Sequence, residues 1–134
     1  MKRQPETNVP KILVVDDNEQ VRELLQDFLE ARGYAVSLAE DGQQALAAVE
    51  AEPPDLLLLD LMMPGVTGIA VLKQLRQTHP ELPVLVLTAV DEAEVAGAAL
   101  DLGALDYLTK PLDLPLLERA VKDALASRGE SSDP

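Results

Sequence analysis

A short apolar run followed by a longer stretch of helical periodicity recurs five times along this chain, and that alternation most limits what it can fold into. The runs are KILVV at residues 11–15, AVSLA at 35–39, LLLL at 56–59, VLVL at 84–87 and DYLT at 106–109. Each has strand length, and the third and fourth are apolar on both faces. Between them, helices are predicted over residues 19–32, 42–50, 67–77, 91–102 and 114–127. In the first, Val21, Leu24, Leu25, Phe28 and Leu29 recur at helical spacing, and Gly33 stops it. Pro53 and Pro54 stop the second. Asp91, with Glu94 three residues on, predicts a capping box for the fourth.

Two-sided apolar strands alternating with helices imply a parallel sheet covered on both faces, with right-handed crossovers. AVSLA and the last strand are the least apolar, so they belong at the edges. The order 2-1-3-4-5 satisfies that, giving a flavodoxin-like, doubly wound (βα)5 α/β fold. Ligands of such sheets bind beyond the carboxyl ends of the strands, near the point where strand order reverses.

Several chemistries are excluded by composition. The chain has no cysteine and a single histidine, His79, so thiolate and multi-histidine metal sites are out. The net charge of −13 opposes direct nucleic-acid binding. No run approaches the length of a membrane span and no signal-peptide pattern opens the chain, so the expectation is a soluble, cytoplasmic protein without membrane contact. Residues 1–9 are expected as a flexible lead, 10–127 as one domain, and 128–134 as a flexible tail or the start of a linker.

The strand ends carry the chemistry. Asp16 and Asp17 follow the first strand, Asp60 the third and Thr88 the fourth, while Lys110 and Pro111 follow the last. In the order 2-1-3-4-5 the first and third strands are neighbours, so Asp16, Asp17 and Asp60 crowd together. Carboxylates so close repel one another and call for a compensating charge. An oxygen-only donor set suits a hard cation such as Mg²⁺, Lys110 adds a permanent positive charge, and Thr88 offers a hydroxyl to an oxyanion. An aspartate, a divalent cation, a lysine and a hydroxyl together suit phosphoryl transfer to a carboxylate. The chain has no Gly-rich phosphate loop, which argues against a nucleoside triphosphate as direct donor.

With ILVVDDN, LLLLDLMMPGVTG, VLVLTA and GALDYLTKP in this order, the chain resembles the receiver domain of bacterial two-component response regulators over residues 10–127. The resemblance implies that Asp60 accepts the phosphoryl group, from a histidine kinase or a histidine phosphotransfer protein. It implies that Asp16, Asp17, Asp60 and the backbone carbonyl of Met62 hold Mg²⁺. Lys110 is then a phosphoryl contact, Thr88 and Tyr107 a coupled switch pair, and Pro111 the partner in a cis peptide bond. Gly65 and Gly68 suit the loop after Asp60, and Thr67 caps the helix behind it where many relatives carry Asp or Asn.

The resemblance further implies that the surface of the fourth helix, last strand and last helix changes and is read by a downstream protein or a fused output domain. The oligomeric expectation is a monomer or a phosphorylation-dependent homodimer. The domain is expected to be a signalling phosphoacceptor that promotes its own phosphorylation and dephosphorylation rather than an enzyme. Two other readings are open to the residues. A phosphatase of the haloacid dehalogenase type needs a second acid two residues after its nucleophile, and Met62 stands there. A phosphorylation-independent scaffold usually lacks one of the acids or the lysine, and this chain keeps them all.

Overall fold

The structure, a computed structural model, describes residues 9–89 and 91–131. Five strands and five helices alternate: β1 (Lys11–Val15), α1 (Glu19–Glu30), β2 (Ala35–Ala39), α2 (Gly42–Ala51), β3 (Leu56–Asp60), α3 (Gly68–Thr78), β4 (Val84–Ala89), α4 (Ala93–Asp101), β5 (Asp106–Lys110) and α5 (Leu114–Ser131). The strands form one parallel sheet in the order β2-β1-β3-β4-β5. The edge positions of the two most polar strands follow from cost. An inner strand must present apolar groups to both layers, and β2 and β5 cannot.

The period-2 alternation of strand side chains sorts the core into two layers. Leu13, Val15, Leu57, Leu59, Val84 and Val86 face the side packed by α2, α3 and α4. Ile12, Val14, Leu56, Leu58, Leu85 and Leu87 face the side packed by α1 and α5. The four leucines of β3 are fully buried, two in each layer, so a single polar substitution there would strand a polar group in the core.

Helix ends follow local chemistry. Gly33 adopts a φ of +94°, and the Gly33 N–H donates to Glu30 O while the Tyr34 N–H donates to Leu29 O, closing α1 with paired bonds. Asp113 accepts from the Leu116 N–H at 3.1 Å and opens α5. Two ends differ from expectation. The Asp91 capping box does not form, because the Glu92 N–H closes a turn onto Ala89 O at 3.0 Å. Asp91 falls inside that turn, α4 starts at Ala93, and Glu92 occupies its cap without a side-chain bond. At the other end α5 continues to Ser131, so residues 128–131, expected as tail, are helical. Arg128 and Glu130 favour helix, the lone Gly129 costs only about 1 kcal/mol, and no proline intervenes. Of the expected lead and tail, residues 1–8 and 132–134 lie outside the described residues. Among the described residues, no helix is long and apolar enough to cross a membrane.

Candidate phosphoryl-acceptor site

Register builds the site. Val15 pairs with Leu59, so the next residue on each strand, Asp16 and Asp60, leave the sheet side by side. Asp60 itself pairs with Leu87 on β4, one residue before Thr88, and Ala89 pairs with Lys110 on β5. Three adjacent inner strands and one edge strand therefore deliver their terminal residues to one end of the sheet.

One carboxylate oxygen from each of Asp16, Asp17 and Asp60 lies within 4.8 Å of the others. Asp16 and Asp60 are buried, whereas Asp17 is exposed and faces the opening. The Lys110 ammonium stands 2.7 Å from Asp16 Oδ2 and 3.4 Å from Asp60 Oδ2. The Asn18 N–H donates to Asp16 Oδ1 at 2.9 Å, and the Met62 N–H donates to Asp60 Oδ1 at 3.1 Å. Both of these donors come from the residue two places on, so each loop folds back on its own aspartate.

The electrostatics follow from that packing. Burial, then the neighbouring Asp16 charge, push the Asp60 carboxyl up to about 6, against the downward pull of the Met62 N–H and Lys110. Burial disfavours the Lys110 ammonium, but Asp16 and Asp60 outweigh it and hold that lysine above its ordinary value. Three carboxylates against one ammonium leave an excess of negative charge in a confined space. A hard divalent cation would offset it, and the all-oxygen donor set with an exposed side for water fits Mg²⁺.

Among the described residues, neither switch candidate is hydrogen-bonded to this cluster. Thr88 is buried at the end of β4, and among the described residues its hydroxyl has only a long bond of 3.5 Å to Ala89 O. Tyr107 lies on β5 and is 43% exposed. Met62 is exposed, and the Lys110–Pro111 peptide bond is cis. In the loop after Asp60, Gly65 has a φ of +76°. Gly68 is required by space: a Cβ there would fall 2.6 Å from the Leu61 Cα. Thr67 caps α3, accepting from the Ala70 N–H at 3.2 Å.

Two residues at the site carry no role in the strand-end pattern. Asn18 caps α1 as well as donating to Asp16. Arg22 reaches back from α1 to the Asp16 carbonyl. The signal for both is positional, since helix side chains lean toward the N-terminus and α1 opens directly above the acidic pair.

Comparison with known proteins agrees with this geometry. A family profile for the response regulator receiver domain matches residues 12–122. The alkaline phosphatase synthesis transcriptional regulatory protein PhoP of Bacillus subtilis is 48% identical over 92% of this chain and 51% of its own length. The response regulator MprA of Mycobacterium avium is 47% identical over 92% of this chain and 54% of its own. The chain thus spans about half the length of the curated relatives it matches. Among solved structures, a CheY-like response regulator receiver domain protein from Methanospirillum hungatei superposes with a TM-score of 0.89, at 26% identity over 93% of this chain and 100% of that one.

Proposed function

The chain belongs to the response regulator receiver domain family, and on that premise we propose that Asp60 is the carboxylate that accepts a phosphoryl group. The convergence of Asp16, Asp17 and Asp60 around one point, with Lys110 against two of them, carries this reading. A carboxyl raised to about 6 by burial and by Asp16 is more basic than an ordinary aspartate yet ionised near neutrality, which suits a nucleophile toward phosphorus.

In the proposed reaction an oxygen of Asp60 forms a bond to phosphorus as the phosphorus–nitrogen bond of a phosphohistidine breaks. The electron pair leaves with the imidazole of a histidine kinase or phosphotransfer protein. Mg²⁺ held by Asp16, Asp17, Asp60 and the Met62 carbonyl would neutralise charge on the transferred oxygens. Lys110, already between Asp16 and Asp60, turns toward the incoming group. The buried Thr88 hydroxyl, which among the described residues makes no strong bond, would donate to a phosphoryl oxygen. Its movement leaves space on the β4–β5 side, into which the exposed Tyr107 moves. The α4-β5-α5 surface then shifts population and is read by a downstream protein or output domain, with the chain a monomer or a phosphorylation-dependent homodimer. The same site would promote hydrolysis of the acyl phosphate. We place the domain over residues 10–127 with its last helix running on to Ser131, and the protein in the cytoplasm.

The test is intact-protein mass after incubation with Mg²⁺ and acetyl phosphate. One phosphoryl adduct is expected in the parent and none in Asp60→Asn or with a chelator. An adduct that survives Asp60→Asn would remove Asp60 from the assignment. A parent that stays unmodified and also fails to bind beryllofluoride would favour a phosphorylation-independent scaffold.

A further inference from the structure

Arg22 stands outside the strand-end residues, yet it reaches the site. It is half-buried on α1, and its Nη1 donates to the backbone carbonyl of Asp16 at 2.7 Å. Among the described residues its guanidinium pairs with no carboxylate. The arginine is therefore committed to a main-chain oxygen in the middle of an acidic site.

That oxygen belongs to the peptide joining Asp16 to Asp17. Asp16 does not need the arginine. Its N–H donates to Ala39 O at 3.2 Å, its Oδ1 accepts from Asn18, and its Oδ2 meets Lys110. Asp17 is the opposite case. It is exposed, and among the described residues no hydrogen bond or ion pair holds its carboxylate, which nevertheless points into the cluster. A peptide unit is planar, so a donor that fixes the carbonyl also fixes the direction in which the chain enters the next Cα.

We propose that Arg22 is a positioning residue for the cation site: by pinning the Asp16–Asp17 peptide it aims the Asp17 carboxylate at the cluster, without itself touching cation or phosphoryl group. This rests on the reading of Asp16, Asp17 and Asp60 as the cation-binding set.

The sign of one measurement separates this from a plain charge effect. Removing a positive charge beside a cation site strengthens cation binding by electrostatics alone. Removing a positioning bond weakens it, by about tenfold or more for outer partners of metal ligands. Calorimetric titration of the full chain with Mg²⁺ alone is expected to show Arg22→Met about tenfold weaker than the parent. Arg22→Lys, which keeps a donor, should recover most of the loss. On an Asp17→Ala background Arg22→Met should change little further, because the ligand it aims is gone.

Unchanged or tighter Mg²⁺ binding in Arg22→Met overturns the proposal, as does an undiminished loss on the Asp17→Ala background. Arg22→Gln, shorter but polar and helix-compatible, serves as a second variant should Arg22→Met lose its cooperative thermal transition in chelator. It is expected to lose affinity likewise, and parental affinity in it counts equally against the proposal. A parent that binds no Mg²⁺ sinks the cation reading itself. A parent that binds, with Asp17→Ala weakened and both neutral Arg22 variants unchanged, sinks only the role of Arg22.

Discussion

The two sides of this sheet end are built to different tolerances. On the β1–β3 side, α1 is capped twice by Asn18, at 2.8 Å to the Gln20 N–H and 3.2 Å to the Val21 N–H. It buries Leu25 and Leu29, and on the opposite face α3, capped by Thr67, buries Val71, Leu72 and Leu75. On the β4–β5 side, α4 has nine residues, no side-chain cap bond and only Ala96 and Ala99 buried. A buried leucine contributes about 1.5–3 kcal/mol, whereas an alanine brings little more than one methyl at about 0.8 kcal/mol. So the acids are held on the stiff side, and the hydroxyl of Thr88 leads into the weakly anchored one. Elements that must rearrange are drawn from the low-stability end of a structure. A charge placed on Asp60 therefore meets a frame that yields in one direction.

The largest test of that comparison asks whether the stiff side alone supplies the chemistry. Asp60→Asn is expected to abolish phosphoryl incorporation outright, and with it any donor-dependent change in hydrogen exchange of α4. A change in α4 exchange that persists in Asp60→Asn would mean that α4 responds to something other than the acid cluster.

Anchoring should be visible in stability. Leu72→Ala on α3 is expected to cost about 2–5 kcal/mol in urea unfolding, from lost transfer energy plus a cavity. Ala99→Gly on α4 should cost about 1–2 kcal/mol, from one methyl and the helix penalty of glycine. Equal costs would erase the distinction between the two sides.

The raised Asp60 carboxyl gives a smaller, signed effect. The unfolded aspartate ionises near 3.8 and the folded one at about 6, so across that window the folded chain keeps a proton that the unfolded chain has released. Stability contributed by this residue then falls as pH rises through the window, and the deficit persists above it. At pH 7.5 in chelator, Asp60→Asn should be the more stable protein by about 1–2 kcal/mol, with the gap closed near pH 4. Added Mg²⁺ should narrow the gap by stabilising the parent. A pH-independent difference in thermal midpoint would mean that burial of Asp60 carries no such cost.

The fold was legible because its signals are redundant. Two-sided runs such as LLLL leave an inner parallel strand as the only economical reading, and the polar AVSLA and DYLT then take the edges. The acid cluster was legible for the same reason, since strand order alone brings Asp16 and Asp60 level. What stayed hidden depends on backbone geometry. The Asp91 cap satisfied the capping-box pattern, but the turn closed by Glu92 onto Ala89 displaced the helix start. Arg22 was not singled out in the sequence, because its partner is a carbonyl and carbonyls leave no trace there.

That displaced cap supplies the finest test. Asn18→Ala on α1 is expected to cost about 1 kcal/mol, the usual worth of an N-cap, because two N–H groups lose their acceptor. Glu92→Ser on α4 should act oppositely and more weakly, adding about 0.5 kcal/mol by supplying the missing acceptor. The readout that matters is hydrogen exchange, since a cap on α4 should slow its amides while leaving those of α1 unchanged. If looseness of α4 is what lets the β4–β5 side respond, Glu92→Ser should also reduce the α4 exchange difference between unmodified and beryllofluoride-bound protein. A stabilised α4 that responds in full would show that the response depends on Thr88 and Tyr107 alone, with the anchoring of α4 incidental.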